Sequence, residues 1–157
     1  MTPILFTCEE TLPFTSDEIA RQILDLTKWP DFHGYGPIPG IKVAAFDVQT
    51  PGIIGSRIRV TNLDGSSHVE EIVEWQPDRR LRLQLKEFSP QLSRLTSRFE
   101  ETWEFERVEG GTNATRSFQL HAKSVLGRLP LWVISFFLKR AITRHLRELK
   151  TSGVMNK

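Results

Sequence analysis

The sequence has a single cysteine in 157 residues, no apolar run near the roughly 20 residues that a membrane-crossing helix needs, and almost no excess of charge of either sign. Each shortage removes a class of protein. The lone thiol, Cys8, excludes an internal disulfide and cysteine-based zinc or iron–sulfur clusters, and it fits a reducing, cytoplasmic setting. With 21 Lys and Arg against 19 Asp and Glu, the formal charge of +2 offers no broad attraction for nucleic acid. Residues 1–10 lack a basic region followed by a long apolar stretch, so they do not read as a signal peptide. The motifs of cofactor chemistry are missing as well. Gly34, Gly36 and Gly40 are interspersed with aromatics and prolines and form neither a phosphate loop nor a dinucleotide fingerprint, and there is no Gly-x-Ser-x-Gly elbow. His33, His68, His121 and His145 have no metal-site spacing. Neither a metal nor a nucleotide cofactor is expected.

What is present is alternation. Residues 3–10 alternate as a first strand, and the segment Pro13 to Glu18 reads as a turn and helix cap before the apolar positions Ile19, Ala20, Ile23, Leu24 and Leu26. Trp29-Pro30 interrupts that short helix, and a Gly- and Pro-rich loop follows. Strands are then expected over about 42–49, 55–62, 67–76, 80–88, 96–108 and 112–123, with turn signals at Asp64-Gly65, at 77–79 and at 109–111. Side chains alternate across a strand, which places Phe99, Glu101, Trp103 and Phe105 on one face and Ala114, Arg116, Phe118 and Leu120 on the matching face of the next strand. The same reading turns Val69, Glu71, Val73 and Trp75 inward, and with them Leu81, Leu83, Leu85 and Glu87. Residues 129–150 are expected to form a long helix whose first ten positions are nearly all apolar and whose second half carries Lys139, Arg140, Arg144, Arg147 and Lys150. Such a helix needs a curved sheet around it or a lipid surface against it. The outcome is an α+β fold in which a seven-stranded antiparallel sheet has one dry face, covered by the terminal helix.

Three charges fall on that dry face: Glu71, Glu101 and Arg116. An unpaired charge in an apolar interior is costly, so each needs a partner or a task. Glu101 lies nine residues before position 110 and Arg116 six after it, which makes them diagonal rather than directly opposed. The readings open are an internal ion pair, charges on the sheet rim, a polar anchor for a ligand, and acid–base chemistry by paired carboxylates. Trp29 and Phe32 are candidates to close the mouth of a cavity, Trp103 and Phe118 to form its wall, and Trp132 and Phe136 to line it from the helix.

In order along the chain, these elements resemble the SRPBCC superfamily, also called START-like or Bet v 1-like, and especially its polyketide cyclase/dehydrase and lipid-transport branch. The resemblance covers about residues 3–150. It is carried by the early helix running into Asp25-Leu26-Thr27-Lys28-Trp29-Pro30-Asp31-Phe32, by Gly55-Ser56-Arg57-Ile58-Arg59-Val60, by the segment from Val73 to Leu81, by Gly110-Gly111-Thr112, and by the helix ending Leu146-Arg147-Glu148-Leu149-Lys150. It implies a single domain over 1–157 with a helix-grip fold: a curved seven-stranded antiparallel sheet around a long C-terminal helix, with short helices after the first strand. It also implies a cavity between sheet and helix for a hydrophobic small molecule such as a lipid, polyketide or quinone. A cyclase, dehydratase or hydrolase using a pocket carboxylate is the enzymatic alternative. Peripheral membrane or partner contact through the basic terminal helix is another, and the chain is expected to be a monomer or homodimer.

Overall fold

The structure is a computed structural model that describes residues 1–155; Asn156 and Lys157, the end of the expected 1–157 domain, lie outside the described residues. Strand β1 (Ile4–Leu12) leads into helix α1 (Ser16–Leu24) and a 3-10 turn (Leu26–Asp31). There follow β2 (Ile41–Val48), β3 (Arg57–Asn62), β4 (Ser67–Gln76), β5 (Arg80–Lys86), the single turn α2 (Pro90–Ser93), β6 (Thr96–Val108), β7 (Gly111–Ala122) and the terminal helix α3 (Val125–Met155). All seven strands join one antiparallel sheet in the order β1-β7-β6-β5-β4-β3-β2. Neighbours in the chain pair as hairpins except β1, which crosses to β7 in a register running from Ile4 opposite Leu120 to Leu12 opposite Thr112. The curved sheet wraps α3, giving the α+β helix-grip arrangement.

The cap expected before α1 is a complete capping box. The Glu18 N–H donates to Thr15 Oγ1 (3.1 Å), and the Thr15 N–H donates to the Glu18 carboxylate (3.3 Å). Thr15→Ala is expected to destabilise the protein by about 1 kcal/mol, read as a lower urea midpoint with unchanged slope. Helix α1 buries Ile19 and Ala20, which belong to the same core as Leu81, Phe99, Trp103, Phe118 and Leu120 from the sheet and Leu131, Ile142 and Leu146 from α3.

Two sequence expectations are corrected here. The β4–β5 ladder slips between Ile72 and Glu74, leaving Val73 as an extra residue, so the strand before the bulge has the opposite phase from the strand after it. Counting back from Trp75 therefore assigns the wrong face. Buried His68, Glu70 and Ile72 face inward, whereas Glu71 lies on the outer face, bonded by Lys86 Nζ at 2.9 Å and Arg57 Nη1 at 3.4 Å. Glu87 leaves the inner face too: its φ of +54° ends β5, and its carboxylate turns to Arg57.

The second correction concerns α3. It starts at Val125, ahead of the expected residue 129, carries Pro130 inside its opening turns, and at 31 residues is about 46 Å long. Its apolar half is covered on one side only. Leu131 and Leu138 are buried, but Trp132 is 55% and Phe136 46% exposed.

Candidate functional site: an apolar cavity with a polar cluster

Between the concave face of the sheet and α3 lies a cavity of about 780 Å³. Leu83, Leu85 and Phe99 form its sheet wall, and Ile134, Leu138 and Ile142 project from α3. Trp29 and Phe32 line it from the 3-10 turn, where Trp29 is fixed by its indole N–H donating to the Ile23 carbonyl (2.8 Å). The next loop contributes Pro37 and Ile38 through a tight turn in which Tyr35 and Ile38 exchange both backbone hydrogen bonds at 2.9 Å. Gly34 permits this turn with φ of +76°; a Cβ there would lie 2.1 Å from the Ile38 carbonyl oxygen.

A polar cluster interrupts these apolar walls. Glu101 Oε1 accepts from Arg116 Nε (2.8 Å) and from the Trp103 indole N–H (2.8 Å). The register opposes Trp103 to Arg116 and Glu101 to Phe118, so the ion pair is diagonal, as the spacing requires. The guanidinium also lies 4.7 Å from the Trp103 ring centre and 5.5 Å from that of Phe118, which fixes its plane against two aromatic faces. Arg116 Nη1 reaches His145 Nδ1 at 3.3 Å. Arginine only donates, so His145 accepts through Nδ1 and carries its proton on Nε2. Burial, the Arg116 charge and His33 lower its pKa to about 3, and the ring stays neutral. Burial pushes the Glu101 carboxyl upward, helped by the nearby Glu70 charge and opposed by Arg116. His68 Nε2 lies 2.9 Å from Glu70 Oε2, a second buried pair on the cavity wall.

The whole sheet–helix unit matches the model of a family described as polyketide cyclase / dehydrase and lipid transport, over residues 4–153. The chain belongs to this family. Among solved structures, it is similar to TTHA0849 from Thermus thermophilus, at 16% identity and a TM-score of 0.71, with 98% of this chain and 99% of that one covered. It is also similar to the di-domain ARO/CYC StfQ from the steffimycin biosynthetic pathway, at 17% identity and a TM-score of 0.71. That likeness covers 99% of this chain and 52% of StfQ. A third likeness is to ginseng major latex-like protein 151 from Panax ginseng, at 16% identity and a TM-score of 0.62, with 92% and 98% covered. These likenesses establish the fold. No curated protein matches the chain.

Within this polyketide cyclase / dehydrase and lipid transport fold, Trp29, Phe32, Glu101, Trp103, Arg116 and Phe118 all reach the cavity. Glu71, Trp132 and Phe136 do not: the first is on the outer sheet face, and the other two are on the solvent side of α3. Among the cavity's polar residues, His68, Glu70 and His145 were not expected there from the sequence. His68 and Glu70 are hidden by the Val73 bulge. His145, by contrast, has a readable signal, for Leu138, Ile142, His145 and Leu149 recur at helical spacing and all four line the cavity.

Proposed function

We propose that this protein binds a hydrophobic small molecule, of the lipid, polyketide or quinone kind, with one hydrogen-bond-accepting group directed at Arg116. The observation that carries this reading is a charged donor, Arg116, largely buried on the wall of a large apolar cavity. Arg116 has five N–H donors; Nε serves Glu101 and Nη1 serves His145, which leaves donors for a carbonyl, hydroxyl or carboxylate oxygen in the cavity. A cavity of about 780 Å³ falls in the usual range for small-molecule sites, and a few placed polar groups among apolar walls would orient the guest.

The test is displacement of an environment-sensitive fatty probe, supported by native mass spectrometry after gentle purification. Leu138→Trp, which projects added volume from α3 into the cavity, is expected to weaken the probe about tenfold or more while the protein stays folded by circular dichroism. Unchanged affinity in a folded Leu138→Trp protein would place the probe elsewhere and remove this reading.

Catalysis by Glu71 and Glu101 together has no geometric basis, because those carboxylates lie on opposite faces of the sheet. A second reading, proton transfer by a cyclase, dehydratase or hydrolase, is favoured by one observation: the buried His68–Glu70 pair adjoins the cavity and could exchange a proton with a guest.

A further inference from the structure

The outer side of α3 has no part in the cavity, yet its first half is apolar and uncovered. Leu126 is 90% and Leu129 71% exposed, and Trp132, Val133 and Phe136 continue the same face along the helix. Contiguous apolar surface of this kind on a folded chain marks a binding face. The face then changes character. Lys139, Arg140 and Arg147 follow it with no carboxylate within ion-pair distance among the described residues, whereas Arg144 and Lys150 are engaged by Glu148 and Glu10. Arg140 is held at the junction, 4.8 Å from the Phe136 ring centre and 5.9 Å from that of Tyr35.

We propose that this face of α3 docks on an anionic lipid bilayer, with Leu126, Leu129, Trp132 and Phe136 entering the headgroup–acyl boundary and Lys139, Arg140 and Arg147 meeting anionic headgroups. On this face, charge complementarity stands beside apolar insertion. A lipid surface satisfies both halves of the face, because aliphatic and indole groups gain by leaving water there while the adjoining cations meet negative charge. A second copy of the chain would cover the apolar half but bring two sets of unpaired cations to one interface. The docked face also adjoins the cavity. Tyr35, beneath Arg140, belongs to the loop that supplies Pro37 and Ile38 to the cavity wall, and Phe137 packs 6.3 Å from the Tyr35 ring.

The experiment is co-sedimentation of the full chain with phosphatidylcholine vesicles containing stepwise more phosphatidylglycerol, at low and high salt. Binding is expected to rise with anionic content and fall with salt. Charge reversal by Lys139→Glu is expected to weaken it about fivefold or more. The double variant Leu129→Ser/Trp132→Ser is expected to weaken it about tenfold or more. These side chains are exposed, so the unfolding midpoint should stay in place and separate lost docking from lost folding. A vesicle-induced blue shift of tryptophan fluorescence that disappears in Trp132→Phe, with binding retained, supports insertion at this residue. Binding that ignores phosphatidylglycerol, or survives both the Leu129→Ser/Trp132→Ser and Lys139→Glu changes, overturns the proposal. So does a dimer in sedimentation velocity that Leu129→Ser dissociates, since the face would then belong to a second copy.

Discussion

Arg116→Met is expected to lower the unfolding free energy by about 3–5 kcal/mol at neutral pH. Methionine retains much of the apolar volume, so the loss comes chiefly from Glu101. That carboxylate is 4% exposed and keeps only the Trp103 indole once Arg116 is gone. Its pKa is already raised by burial and by Glu70, and removal of Arg116 raises it further. A carboxyl whose folded pKa exceeds its unfolded value binds more protons in the native state, so stability falls as pH rises through that interval. The deficit of Arg116→Met should therefore shrink on acidification toward the ordinary carboxylate range, where Glu101 is neutral. Arg116→Met/Glu101→Gln should recover most of the loss at pH 7. Urea unfolding of both variants at pH 7 and pH 5 checks this. A neutral-pH loss that Glu101→Gln does not restore would mean that packing around Arg116, rather than an orphaned charge, dominates.

His145 is expected to produce the opposite slope. Its folded pKa is lowered from 6.5 to about 3, so below pH 6.5 the unfolded chain takes up a proton that the native state refuses. Stability is then fully present above pH 6.5 and lost on acidification through the interval down to about 3. At about 1.36 kcal/mol per pH unit, the step from pH 7 to 5 costs about 2 kcal/mol from this residue alone. His145→Gln offers Arg116 an amide oxygen as acceptor and does not titrate, so its acid limb should be flatter by that amount. Parallel urea midpoints for the two proteins between pH 7 and 5 would show that His145 takes its proton readily in the folded state. In the wild type, Glu101 and His145 oppose each other above pH 4.5, which narrows the net change there.

The strands, their antiparallel hairpins and part of the cavity wall were legible because each depends on simple periodicity, whereas the helix grip came with the family resemblance and the crossing of β1 to β7 was not read at all. Alternation over residues 96–108 and 112–123 placed Glu101, Trp103, Arg116 and Phe118 correctly, since neither strand is interrupted at those positions. It failed in β4, where one bulged residue reverses the phase and exchanges Glu71 for Glu70. A bulge is stabilised by pairing with the neighbouring strand, so it leaves little trace in the local sequence. The error at Trp132 and Phe136 has a different origin. Apolar composition says that a face seeks cover but not which cover, and the sheet reaches only the side of α3 that carries Leu131, Leu138 and Ile142. The cavity-facing position of the His145 stripe was within reach of the helical period.

The crossing of β1 to β7 has a consequence for the order in which this chain can acquire its shape. Thr7 and Ser117 are neighbours in the sheet although 110 positions separate them. At about 5–20 residues per second, a ribosome takes on the order of ten seconds to supply that partner. Until then β1 has no strand to join, and the concave face has no α3 to close over it. The hairpins from β2 to β6 can pair as they emerge, because each contact is local. The cavity is thus a product of the last third of synthesis, and its apolar walls stand open to chaperones, to other nascent chains, or to a hydrophobic guest before the helix arrives.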